Sequence, residues 1–260
     1  MTASAPLAHL ARRLRAGETV LMSWCGLNDA TLAEATLREG FDAALLDMQH
    51  GAIDFTTTVE AIALAGLAGK PAIARIPVGD FASASRLLDA GAAAIVAPMI
   101  NSAADARAFA GFAKFPPVGE RSWGPHRAQA LAGLEGADYF HAANQMHMAI
   151  AMIETREALA ALDSILDTPG IDGVFVGPSD LSIALTNGAT VDAHHPEVDR
   201  ALDHIAARCK AKNKVAGAFC MTGKRANELA KRGFGLCSVS TDGMMLRIGA
   251  RAELKAARGS

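Results

Sequence analysis

Residues 43–97 contain three short apolar runs, Ala43-Ala-Leu-Leu-Asp47, Ala72-Ile-Ala-Arg75 and Ala94-Ile-Val-Ala97, separated by helical patterns over Phe55–Leu67 and Ala82–Ala90. Runs this short and this apolar suit parallel strands buried on both faces, and a longer helical segment between two of them is the return limb of a βα unit. The alternation continues in both directions. Further strands are predicted over Thr19–Cys25, Ala149–Glu154, Gly173–Val176, Val215–Phe219 and Leu236–Val239, and further helices over Asp29–Glu39 and Ala103–Ala113. Several helices end at glycine, as in Glu39-Gly40, Ala90-Gly91 and Arg232-Gly233, the usual place for a left-handed C-cap. Eight strands in a chain of 260 residues predict one closed (β/α)8 (TIM) barrel domain spanning residues 1–260.

Composition agrees. Half of the residues (51%) are hydrophobic but only 5% are aromatic, so the core is built mainly from Ala, Leu, Ile and Val. A net charge of −2 offers no basic field for nucleic acid or an anionic membrane, which leaves small molecules as the expected partners. Cys25, Cys209, Cys220 and Cys237 have neither metal-site spacing nor the density of a disulfide scaffold, and are read as reduced thiols of a cytoplasmic protein. Residues Pro6–Arg15 are rich in Arg and poor in acids, as a transit peptide is; the simpler expectation is a short amphipathic helix plugging the N-terminal end of the barrel. At the other terminus, Met244–Ala257 is predicted as a helix that packs on its own barrel or on a neighbour.

In such barrels the chemistry sits where strands end, so polar residues that close apolar runs carry the most information. Asp47, followed by Gln49 and His50, closes the second strand; Arg75 closes the third and Glu154 the fifth; the sixth leads through Gly177-Pro178-Ser179 to Asp180. Glu154 and Asp180 are one βα unit apart and face the same mouth. Two hard oxygen ligands without a Cys or His pair suit Mg²⁺ or Mn²⁺, with Co²⁺ also admissible. Each acid could instead cap a helix or pair with a surface cation. His50 is the candidate general base, titrating near neutrality. Arg75 offers a planar charged fork for a carboxylate or enolate, or else a barrel-end salt bridge. His9, His141, His147, His194, His195 and His204 are expected on helices or surface loops, with His126 in a long segment between the fourth and fifth strands that is read as a wall of the site. No lysine closes a strand as a Schiff base would require, and no glycine-rich nucleotide motif is present.

Together the stretches 41–50, 72–75, 87–91 with 97–99, 153–158 and 173–182 resemble, in the same order and over nearly the whole chain, the HpcH/HpaI aldolase family of class II, metal-dependent pyruvate aldolases. The resemblance implies that Glu154 and Asp180 bind the metal, that Arg75 holds the oxo-acid oxygens, and that His50 is the acid/base oriented by Asp47 and by Asp89. In the family the residue matching Asp89 reaches the site of an adjacent subunit. It further implies that Gly177, Pro178 and Ser179 lie against the substrate carboxylate, that Trp24 lines the pocket, and that the chain forms a hexamer with exchanged C-terminal helices. Gln49 departs from the family, many of whose members carry Glu before the histidine; a neutral amide cannot raise the imidazole pKa as a carboxylate could.

The activity so implied is reversible aldol addition and cleavage between pyruvate or hydroxypyruvate and an aldehyde, that is, cleavage of 4-hydroxy-2-oxo acids. One alternative is a citrate-lyase-type enzyme acting on acyl-CoA esters, which needs a basic surface for the CoA phosphates. Another is a catalytically silent barrel serving as a binding module.

Overall fold

The computed structural model describes residues 6–259. The chain begins with α1 (Pro6–Arg15) and continues β1 (Val20–Cys25), α2 (Ala30–Arg38), β2 (Ala43–Asp47), α3 (Phe55–Leu67), β3 (Ala72–Arg75), α4 (Phe81–Ala90), β4 (Ala94–Ala97) and α5 (Ala103–Ala113). Helices α6 (His126–Ala132) and α7 (Gly136–Met146) precede β5 (Met148–Ile153), which is followed by α8 (Arg156–Ala160) and α9 (Leu162–Leu166). The remainder is β6 (Gly173–Val176), α10 (Pro178–Leu185), α11 (Pro196–Ala211), β7 (Val215–Ala218), α12 (Gly223–Lys231), β8 (Leu236–Thr241) and α13 (Asp242–Ala257). All eight strands are parallel, neighbours in sequence are neighbours in space, and β8 pairs with β1 to close the barrel. The predicted glycine C-caps are present: Gly40, Gly91 and Gly233 all have φ near +100°.

Strand alternation divides the apolar residues into two bodies. Val20, Met22 and Trp24, then Ala43 and Leu45, Ile73, Ala94 and Val96, Met148, Ile150 and Met152, and Phe175 fill the barrel interior. The intervening residues, such as Ala44, Leu46, Ala74, Ile95, Ala149 and Val174, pack outward beneath the helices. The same parity points Asp47, Arg75, Glu154 and Gly177 inward at the C-terminal mouth, because each stands two residues beyond an interior residue. Phe175 leaves no room across the sheet: a Cβ on Gly217 of β7 would lie 2.6 Å from its ring.

The opposite end is sealed. Leu7, Leu10, Ala11 and Leu14 of α1 are buried and continuous with the barrel interior, alongside Tyr139, Ala143 and Met146 of α7. The N-terminal segment is thus the expected plug. Among the described residues no helix is long and apolar enough to cross a membrane. Helix α13 differs from the rest in burying no apolar side chain: Asp242 is its one buried residue, while Leu246, Ile248 and Leu254 are 62%, 59% and 48% exposed.

Candidate active site

Asp47 organises the C-terminal mouth. Its Oδ1 accepts hydrogen bonds from Arg75 Nε (2.8 Å) and from the backbone N–H groups of Gln49 (3.1 Å) and His50 (3.2 Å). Its Oδ2 accepts from Arg75 Nη2 (2.6 Å) and Trp24 Nε1 (3.0 Å). Burial opposes charge on this carboxyl, but the bonds and charge of Arg75, with help from Trp24 and the His50 N–H, outweigh it and hold the pKa below its ordinary value. Strand register makes the fork possible, since Asp47 and Arg75 are direct cross-strand partners on β2 and β3. The guanidinium also stands 4.8 Å from the Trp24 ring centroid, and that ring packs edge-on to Phe219 at 4.9 Å. Arg75 therefore arrives at the mouth fixed on two sides. Among the described residues its Nη1 has no hydrogen-bond partner.

Glu154 follows β5 and is buried. Its Oε1 accepts the N–H of Met99, which adopts a left-handed φ of 56° after β4. Its Oε2 lies against Gly177, where an added Cβ would come within 2.9 Å of it. Burial raises the Glu154 pKa, and the nearby negative charge of Asp180 raises it further. Asp180 sits in the first turn of α10. Of the eight helices that directly follow a strand, α10 alone lacks a side-chain N-cap; Gly177 holds the cap position and Pro178 the first helical one, so the helix opens toward the mouth with its N–H groups free. Two carboxylates that repel each other in a partly dry site are a donor set that suits a hard divalent cation. Among the described residues no group of three His, Cys, Asp or Glu side chains is arranged to hold a metal, so any such site is an open one.

One cavity of about 430 Å³ is lined by Trp24, Asp47, His50, Arg75, Gly177, Pro178, Ser179 and Asp180 from the sequence-derived set. Glu154 stands directly behind Gly177. Residues 20–248 match the family described as HpcH/HpaI aldolase/citrate lyase. The chain belongs to this family. A hydroxypyruvate/pyruvate aldolase of Rhizorhabdus wittichii is 38% identical over 93% of the chain and 95% of the relative. A 4-hydroxy-2-oxo-heptane-1,7-dioate aldolase of Salmonella dublin is 34% identical over 92% of the chain and 90% of its own length. The crystal structure of an HpcH/HpaI aldolase from Desulfitobacterium hafniense covers 95% of both chains with a TM-score of 0.87 at 28% identity.

Asp89 lies outside its own chain's cavity, at the C-terminal end of α4 on the sealed side, bound to Arg121 Nη2 at 2.6 Å. Several other expectations need correction. Asp47 touches the backbone of His50 and orients Arg75 and Trp24, not the imidazole. The 115–127 segment is no wall of this chain's cavity, because it follows α5 and so connects a helix end to the next strand start, on the N-terminal face. There Trp123 packs on Phe115, Phe140 and Tyr139. His147 is not a surface histidine: it is buried, with Nδ1 at 2.8 Å from Ala92 O and Nε2 at 2.6 Å from the Tyr139 hydroxyl. Burial first, and the charge of Arg121 second, push its pKa down to about 3. Lys114 is buried at that same end, donating to Asn144 O, His147 O and Asp172, far from any Schiff-base position. Strand β8 runs on to Thr241 past a bulge opposite β1, and brings Thr241 and Asp242 to the cavity, which the sequence reading missed.

Proposed function

We propose that this chain is a class II aldolase that reversibly cleaves 4-hydroxy-2-oxo acids to pyruvate or hydroxypyruvate and an aldehyde. The observation that carries the reading is the fixed Arg75–Asp47 fork beside the Glu154 and Asp180 carboxylates in one mouth that His50 also lines. The names of the relatives support the substrate class. Glu154 and Asp180 would hold a divalent cation, whether Mg²⁺, Mn²⁺ or Co²⁺, which would supply the Lewis acidity that acidifies the α-carbon proton of a 2-oxo acid. Arg75 binds the oxo-acid oxygens and neutralises the charge that develops on the enolate. The turn at Gly177-Pro178-Ser179 receives the carboxylate on its backbone N–H groups, proline excepted. His50 moves the proton to and from the aldehyde oxygen, directly or through a water. Trp24 and Phe219 form an apolar wall that excludes water from the donor side.

The acyl-CoA alternative is less well served. Among the described residues no Arg or Lys other than Arg75, already engaged by Asp47, lines the cavity to receive CoA phosphates. On the same reading the exposed apolar residues of α13 are covered by another copy in a cytoplasmic homo-oligomer of hexameric size, and Asp89 serves the neighbouring subunit's site. Replacing Glu154 or Asp180 with Ala should abolish divalent-metal-dependent release of pyruvate or hydroxypyruvate from 4-hydroxy-2-oxo acids. Full turnover in excess EDTA would refute the mechanism.

A further inference from the structure

We infer that Asp242 is a positioning residue for His50, acting across the first βα turn; the inference rests on the reading of His50 as the proton-transfer group. Asp242 follows β8 and is buried at the edge of the cavity. Its Oδ2 accepts the N–H groups of both Gly26 and Leu27 at 2.9 Å, and its Oδ1 accepts that of Gly243 at 2.7 Å. One carboxylate thus pins the turn after β1. That turn in turn holds the one bearing His50: Gly26 C=O accepts the N–H of Ala52 at 2.7 Å, and Asn28 Oδ1 accepts that of Asp54 at 3.2 Å. The two turns meet glycine to glycine. A Cβ on Gly51 would lie 2.8 Å from Gly26 Cα and 2.3 Å from Asp47 O, so the approach is closed to any larger residue.

His50 itself is exposed, and among the described residues its own anchor is a single 3.2 Å bond from its N–H to Asp47. Its placement therefore depends on what braces residues 51–54 from behind, and that brace is the 26–28 turn fixed by Asp242. Charge-assisted bonds to a buried carboxylate are the strong members of such a relay. The groups that hold the donor, Arg75, Glu154 and Asp180, sit on other strand ends, and among the described residues none of them has a hydrogen bond to Asp242 or to the 26–28 turn.

The test is a double-mutant cycle on the metal-loaded enzyme, with cleavage of a 4-hydroxy-2-oxo acid measured for wild type, Asp242→Ala, His50→Ala and the double variant. Asp242→Ala should lower kcat by about 10- to 100-fold, as expected for a misplaced reacting group, with KM changed by less than about twofold. In the His50→Ala background the same substitution should cost almost nothing further. Equal losses in both backgrounds, or kcat and KM moving in parallel, would overturn the assignment. Wild-type kcat in His50→Ala alone would instead show that the reading of His50 is wrong, and the inference falls with it. Should Asp242→Ala fail to fold, Asp242→Asn, which keeps one acceptor for Gly26 and Leu27, runs the same cycle with a smaller loss and the same non-additivity.

Discussion

Replacing Asp47 with Asn keeps the shape of the side chain and turns one acceptor oxygen into a donor. The five bonds to Asp47 divide three to Oδ1 and two to Oδ2. The least damaging placement leaves the amide oxygen with Arg75 Nε and the two backbone N–H groups, and sets the new NH₂ against Arg75 Nη2 and Trp24 Nε1. Two donor pairs then face each other, and a guanidinium with 7% side-chain exposure loses its counter-charge. Breaking a buried ion pair on one side costs about 3–5 kcal/mol. The Trp24 contribution overlaps with that figure and is not added to it. A loss of this size leaves most domains folded, given total stabilities of about 5–15 kcal/mol. Catalysis should suffer separately: an untethered Arg75 should lower kcat/KM by about 100-fold. Urea unfolding followed by tryptophan fluorescence, with steady-state kinetics on the same preparations, measures both. The acid side gives a further signature. Because the folded pKa of Asp47 is depressed, its contribution is present above its ordinary value of 3.8 and is lost as pH falls through the folded value, so Asp47→Asn should lack that part of the acid unfolding. A stability change below about 1 kcal/mol, as for an exposed pair, together with unchanged kcat/KM, would refute the claim that Asp47 holds Arg75 in place.

Gly177→Ala places a methyl group 2.9 Å from Glu154 Oε2 and 3.3 Å from Met152 Cε at an ordinary φ of −92°, so the carboxylate must swing while the backbone stays put. Mn²⁺ affinity measured by calorimetry should fall by about 10- to 100-fold with little change in thermal midpoint, the size seen when a ligand's support is disturbed; unchanged affinity would detach Gly177 from the metal site. His147 predicts a second effect at acid pH. Its folded pKa of about 3 lies below the ordinary 6.5, so the unfolded chain takes up its proton first, and stability should decline from about pH 6.5 down to about 3 at up to about 1.4 kcal/mol per pH unit. Urea midpoints between pH 7 and 4 should show this slope in wild type and a shallower one in His147→Gln; identical slopes would mean that His147 does not titrate as its burial requires.

The barrel was legible because its strands are short, apolar and evenly spaced, and because strand parity then aims Asp47 and Arg75 inward without any knowledge of contacts. Polarity at a strand end is local information. What it could not convey is which end of the barrel a helix-to-strand connection occupies, although chain direction does settle that: residues 115–127 follow a helix and lie at the sealed end, as does Asp89. Asp242 escaped notice for a different reason. Ser238 and Ser240 interrupt the apolar run of β8, Ser240 takes a φ of +61°, and the bulge there breaks the period of two by which the strand would have been followed to Thr241. His147 was misjudged because a histidine just before a strand gives no sign that Tyr139 and a backbone carbonyl will enclose it. The role of Asp47 toward Arg75 rather than toward the His50 ring is a matter of distances, which no spacing in the sequence encodes.

The cavity is built from two kinds of material. Trp24, Asp47, Arg75 and Met152 are rooted in strands and locked by cross-strand partners, whereas Ala52 comes from the turn after β2 and Ser179 from the first turn of α10. Laboratory evolution toward new aldehydes would accordingly do best with libraries confined to the second group, where side chains can be exchanged without loosening the scaffold that recognises the oxo acid. A library that randomised the first would spend most of its clones on protein that has lost the fixed Arg75–Asp47 fork.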